Sequence, residues 1–368
     1  MDLSAFKDPE LARGLIGSID SLGQALAAQG RTADNPVTLM EVCGTHTVSI
    51  ARNGLKSLMP DNVRLASGPG CPVCVTSNHD IDKVLAIARI PDVIITTFGD
   101  MTRVPGSTSS LLAEQANGAD VRIVYSPLDA LRIARENPER EVVFVGVGFE
   151  TTTPLVAMAI KRAADEGLGN FSVIGAHKNM PGALEAIVND PELRIDALIL
   201  PGHVSTIIGA EPYVFLAERY GIPGVITGFE PNDILQGIAM LLRQLVEGRA
   251  DIEIAYARGV MPEGNPTAIA AIDEVFETVP AHWRGIGEID GSGYAIRDEF
   301  AQFDALRRFD PEVEPVREHS GCRCGDVLRG IITPAECPLF RKVCTPENPI
   351  GPCMVSSEGA CSAYYRYY

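Results

Sequence analysis

The chain predicts an α/β fold: two parallel-sheet α/β domains, followed by a loop-rich, cysteine-rich C-terminal domain. Two observations predict it. Short β-rich runs alternate with helical patterns over residues 37–257, the pattern of parallel sheets covered on both faces. Six of the nine cysteines then fall between Gly321 and Tyr368, among glycines and prolines. Such a segment buries little apolar surface and needs a covalent or metal staple.

The first 30 residues read as a helix, with Leu11, Leu15, Ile16, Ile19, Leu22 and Leu26 near helical spacing. Packing against a neighbouring domain is its expected role. Strands are predicted at 37–42, 63–67, 92–97 and 121–125, then at 141–147, 171–176, 195–200, 223–227 and 251–257. Helices are predicted near 47–59, 79–89, 108–117, 128–137, 152–166, 181–189, 211–220 and 232–247. Eight such units either close one barrel or split into two open sheets. The hydrophilic turn at 136–140 favours the split. The expected boundaries are 1–36 for the N-terminal helical segment, 37–138 and 139–260 for the two α/β domains, and 261–368 for the iron–sulfur domain.

A formal net charge of −17 argues against nucleic acid, which needs a basic face. No run of 18 uncharged apolar residues occurs, so no membrane span is expected. The N-terminal residues lack a basic stretch followed by an apolar one, so no secretory signal is visible. A cytoplasmic protein is expected. In a reducing cytosol, clustered cysteines bind metal or do redox chemistry more often than they form structural disulfides.

The tail lacks the paired knuckles of a zinc site. Its spacings are wide: fourteen residues between Cys322 and Cys337, six to Cys344 and sixteen to Cys361. Four thiolates from separate loops suit an Fe–S cluster and leave Cys324 and Cys353 as a spare pair able to form a reducible disulfide. Spacing alone does not decide which four of the six serve.

The remaining cysteines, with His46, His177 and His203, fall in turns after predicted strands, where parallel α/β folds bind ligands. Cys43-Gly-Thr-His46 follows the first strand; a thiolate and an imidazole both suit a transition metal. Cys71-Pro-Val-Cys74 follows the second and sits where a helix starts, the setting of a redox dithiol or half of a soft metal site. Glu150, in Gly-Phe-Glu-Thr-Thr-Thr-Pro, ends an otherwise apolar strand and is a candidate acid/base or metal-site partner. Gly-Phe-Glu recurs at 228–230, a weak sign of internal repetition. Walker A and dinucleotide-binding fingerprints are absent, as is the CxxxCxxC spacing of radical enzymes.

Five motifs in this order, CGTHT at 43–47, GPGCPVCVT at 68–76, GFETTTP at 148–154, GHVSTIIG at 202–209 and CTPENPIGPCMVSSEGACSAYY at 344–365, resemble the HypD family of hydrogenase maturation factors. The resemblance spans nearly the whole chain. It implies a scaffold on which the Fe(CN)2CO unit of [NiFe]-hydrogenase is assembled, working with HypC, which supplies or shares the iron, and with HypE, which delivers cyanide. The electron donor is left open. The resemblance also implies two α/β domains around a cleft and a C-terminal [4Fe–4S] domain.

By motif, Cys43 resembles the thiolate that binds the iron of the Fe(CN)2CO unit, with His46 beside it. Cys71 and Cys74 resemble a redox dithiol facing the cleft, with Glu150 and His203 further candidates in the turns. Cys322, Cys337, Cys344 and Cys361 match the cluster ligands, and Cys324 with Cys353 a second thiol pair, as in ferredoxin–thioredoxin reductase. One departure is Leu-Ile-Leu-Pro-Gly before His203, where relatives are thought to carry a further cysteine. Two other classes stand beside this reading: a stand-alone Fe–S dithiol–disulfide oxidoreductase, and a lyase or dehydratase using an exposed cluster iron.

Overall fold

The structure, a computed structural model, describes residues 8–313 and 315–368. The first seven residues of the predicted N-terminal segment therefore lie outside the described part. The helix itself spans Pro9–Ala28, with Asp8 capping the N–H of Glu10 and Pro9 opening the first turn. Ile19 and Leu26 bury against the long helix Pro231–Glu247, so the segment docks on the first sheet as expected.

Nine parallel strands form: β1 (Val37–Glu41), β2 (Val63–Ser67), β3 (Val93–Thr97), β4 (Asp120–Ile123), β5 (Glu141–Gly146), β6 (Phe171–Gly175), β7 (Ala197–Pro201), β8 (Gly224–Thr227) and β9 (Ile252–Ile254). They make two sheets, in the orders β2-β1-β7-β8-β9 and β4-β3-β5-β6. β1, β3 and β7 are buried along their whole length, which is why they read as continuous apolar runs. Alternate residues serve opposite faces. In the second sheet, Ile94, Val142 and Phe144 pack to one side, while Ile95, Val143 and Val145 pack to the other.

The sheets are not sequential halves. β1 pairs with β7, placing Leu39 opposite Ala197, so the first sheet takes its strands from both ends of the α/β region. β3–β6 form the second sheet between them, and residues 136–140 fall inside it, between β4 and β5. Parallel strands need crossovers anyway, and a crossover into a neighbouring sheet leaves no mark in local sequence. The two sheets do share a strand pattern, since 2-1-7-8 and 4-3-5-6 reverse direction at the same place. The Gly-Phe-Glu repeat is not part of it: one copy follows β5, next to the reversal, and the other follows β8, one strand further out.

Residues 261–309 form elements of their own, and the hairpin among them meets the cysteine tail where Gly285 lies against Gly325. The helix Pro266–Val275 leads into an antiparallel hairpin, β10 (Phe276–Trp283) and β11 (Gly287–Ile296). Ile272, Val275, Phe276, Ile296 and Phe303 fill one face of the second sheet. Beyond Gly321 only short helices occur, over Cys324–Leu328, Pro334–Glu336, Pro352–Val355 and Ala360–Tyr367. No described helix is long and apolar enough to cross a membrane.

Candidate metal and thiol centre

Each sheet reverses strand order at one point, and ligands of such sheets bind outside the carboxyl ends of the strands there. In the first sheet the reversal lies between β1 and β7. Cys43 and His203 follow those two strands. In the second it lies between β3 and β5, and Glu150 follows β5.

Cys43 is buried and stands in extended backbone at the N-cap of the helix Gly44–Arg52. The N–H of Gly44 donates to the carbonyl of Gly70 at 3.0 Å. A Cβ on Gly70 would overlap the backbone of Val42 and Cys43, so the turns carrying Cys43 and Cys71 run backbone to backbone. Gly70→Ala is therefore expected to cost about 1–3 kcal/mol of stability, read as a lower urea midpoint.

Glu41 lies beneath the Cys43 turn. Its Oε2 accepts the Cys43 N–H at 3.2 Å and its Oε1 accepts the Thr47 hydroxyl at 2.6 Å. Burial pushes its carboxyl up to about 7. Burial also pushes the Cys43 thiol up to about 12, and the Glu358 carboxylate adds to the rise. A thiol so placed loses its proton only to something that stabilises the thiolate, as a bound metal cation does. Folded Glu41 holds its proton more tightly than the unfolded value of 4.5, so its contribution to stability is full below about 4.5 and lost as pH rises through about 7. Denaturation of Glu41→Gln at several pH values is expected to show a flatter profile across that window, by about 3 kcal/mol.

His46 is fully buried. Its Nε2 lies 2.9 Å from the Gly228 carbonyl and 2.8 Å from the Thr227 hydroxyl. Burial lowers it to about 4, so the ring is neutral at pH 7. Its Nδ1 has no partner. Phe229 lies between two imidazoles, with ring centroids 4.9 Å from His46 and 3.9 Å from His203. His203 is the exposed member of the stack. From the tail, Glu358 reaches this corner and accepts the Thr45 hydroxyl at 2.8 Å.

Cys71 and Cys74 are joined as a disulfide around the short helix Pro72–Val75. They are 3% and 0% exposed, too buried for an incoming macromolecule to reach. Their neighbour is the tail: Cys74 Sγ lies 4.0 Å from the Pro352 carbonyl, and the helix Pro352–Val355 packs on the helix Pro72–Val75. The hairpin closes the other side. The N–H of Arg284 donates to the Val75 carbonyl at 2.9 Å, and Trp283 stacks on Phe149 at 6.0 Å.

All six tail cysteines, Cys322, Cys324, Cys337, Cys344, Cys353 and Cys361, line one small cavity with Leu339, Phe340 and Met354. Cys324 lies within hydrogen-bonding reach of Cys322 and Cys353, whose thiols hold it well below the usual thiol range. Among the described residues, no three His, Cys, Asp or Glu side chains are already set as a metal cage. The donor set itself fits an Fe–S cluster, with four soft thiols for ligands and two to spare around a single apolar hollow.

Glu150 follows β5 and lies close enough to Tyr213 to act on it electrostatically, as Cys43 does. Its Oε1 accepts the Met180 N–H at 2.9 Å, its Oε2 has no partner, and burial raises it to about 7. It faces a cavity whose lining contains no cysteine. His177 is buried beneath Gly146 and Gly148 with both ring nitrogens unpartnered, and burial lowers it to about 3. Sequence reasoning missed Glu41, Phe229 and Glu358. Glu41 carried the same signal as Glu150, a lone acid at the end of an apolar strand. Glu358 carried none, since only the tail's fold brings it to Cys43.

The HypD family profile, described as "Hydrogenase formation hypA family", matches residues 18–368. The hydrogenase maturation factor HypD of Rhodobacter capsulatus is 51% identical over 99% of this chain and 97% of its own. That of Cupriavidus necator is 47% identical over 99% and 96%. That of Escherichia coli K12 is 44% identical over 98% and 96%. With the family profile and full-length relatives in agreement, the chain belongs to the HypD family of hydrogenase maturation factors.

Proposed function

We propose that this chain is a scaffold on which the Fe(CN)2CO unit of [NiFe]-hydrogenase is assembled, in complex with HypC and with cyanide delivered by HypE. One observation carries the reading. The turn from Gly68 to Cys74 touches the Cys43 turn on one side and the helix bearing Cys353 on the other. A buried disulfide thus sits between a lone thiol and a cavity of six.

In this reading Cys43 gives up its proton and binds the iron substrate as a thiolate, sharing it with HypC. A soft thiolate suits an iron that carries strong-field ligands. The neutral His46 and His203, stacked on Phe229, fix the wall beside it. The Cys71–Cys74 disulfide takes up two electrons and two protons and becomes a dithiol. Cys324 and Cys353 supply them by thiol–disulfide exchange and are left as a disulfide. Cys322, Cys337, Cys344 and Cys361 would hold a [4Fe–4S] cluster, which supplies electrons when bound.

The burial of Cys71 and Cys74 weighs against a stand-alone oxidoreductase, because a protein disulfide would have to reach thiols at most 3% exposed. Six thiols around the tail cavity also exceed the four a cluster needs, so a lyase with an open iron is not required. The acidic chain works in the cytoplasm in this account, away from nucleic acid and membrane. Anaerobic reconstitution with HypC and HypE tests it. Cyanide and CO infrared bands are expected on the purified complex; a complex that forms without acquiring them overturns the proposal.

A further inference from the structure

One unassigned feature is a cavity of about 530 Å³ lined by residues that follow strands of both sheets, by the hairpin and by the helix Pro266–Val275. Its apolar wall includes Ile208, Phe215 and Ile272. Its charged groups are mostly acidic, Glu150, Glu185, Asp273 and Asp290 against a single cation, Arg219, and Asn179, Thr278 and Tyr294 are its uncharged polar side chains. That cation is already bonded to Glu185, at 2.8 Å. Asp273 and Asp290 make no ion pair among the described residues. An acidic rim alone is an ordinary solvated surface. The second observation is Glu150, which lines the cavity, is 1% exposed and has one carboxyl oxygen, Oε2, without a partner. A buried carboxyl left half satisfied is costly and calls for a donor from outside the fold.

We propose that this cavity binds a small organic cation, an ammonium or guanidinium group on an apolar carbon chain, with its head on Glu150 and its chain along Ile208, Phe215 and Ile272. A guanidinium or ammonium offers several donors and no acceptor, matching a lining rich in acceptors. Charge-assisted bonds to a buried carboxylate are the strong ones, and an ionised partner brings Glu150 into its charged form. The apolar wall excludes water around the pair and favours a carrier chain over a bare metal ion. Arg219 and Glu185, joined across the mouth, make simple anions poor competitors. The site is independent of the thiol chemistry, so its failure would leave the preceding reading untouched.

Calorimetric titration of the full chain with N-butylguanidine, and with N-butylurea as its neutral analogue, tests the proposal. Saturable one-to-one binding of N-butylguanidine is expected, with N-butylurea at least about tenfold weaker. Glu150→Gln keeps the side chain's shape and is expected to weaken N-butylguanidine at least about tenfold, the scale of a lost charge-assisted bond. Should that variant fail to fold, Asp273→Asn with Asp290→Asn alters only exposed side chains and is expected to weaken binding by about threefold to tenfold. Equal binding of the neutral analogue, no saturable N-butylguanidine binding, or variants that bind N-butylguanidine as the natural chain does would each overturn it.

Discussion

Replacing Cys43 with alanine is expected to leave a folded chain that never acquires the cyanide and CO infrared bands in the presence of HypC and HypE. The thiol is 7% exposed, so its loss opens a small gap, and a core truncation of this size costs about 1–2 kcal/mol. Its neighbours offer no replacement. The neutral His46 offers only its unpartnered Nδ1, which brings no thiolate charge, and Cys71 and Cys74 are bonded to each other in the resting chain. Function should therefore fall to background while the urea midpoint moves little. Iron analysis and infrared spectra of the complex check this. Bands of full strength on the variant would remove Cys43 from the role given to it.

Changing Cys337 to serine is the second large effect. In the proposed ligand set it removes one of four sulfur donors, and a tail with only short helices has little else to hold it together. Loss of the tail's iron and colour is expected, with a drop of several degrees in the unfolding temperature. Cys324→Ser should behave differently. It keeps the iron and breaks the thiol pair with Cys353, so Cys71–Cys74 stays oxidised. Thiol alkylation before and after anaerobic reduction, read by mass spectrometry, separates the two outcomes. Retention of iron by the Cys337 variant and its loss from the Cys324 variant would reverse the assignment.

The individual strands were legible because buried parallel strands are apolar runs punctuated by turns, and β1 to β9 fall within a few residues of where those runs lie. Their pairing was not legible. Leu39 and Ala197 are far apart in sequence, and nothing local says that β1 waits for β7 while four strands fold elsewhere. The hairpin was missed for a different reason. Pro280 and the bulge between Val279 and Ala281 interrupt β10, and its alternation is mostly polar because one face meets solvent. At the site, the cysteines and histidines announced themselves by residue type in strand-end turns. Glu358 and Phe229 act only through tertiary contact, one reaching Thr45 from the tail and the other lying between two imidazoles. Glu150 was singled out as an acid/base or metal-site partner, and it lines a cavity that contains no cysteine.

The most direct test of the central claim is iron quantification with Mössbauer spectroscopy on anaerobically purified chain, alone and with HypC. About four irons per chain in a cluster signature are expected for the chain alone, and about one further low-spin iron in the complex. Colourless, iron-free and fully folded protein, with zinc or cystines tying Cys322, Cys337, Cys344 and Cys361 together, would contradict the account.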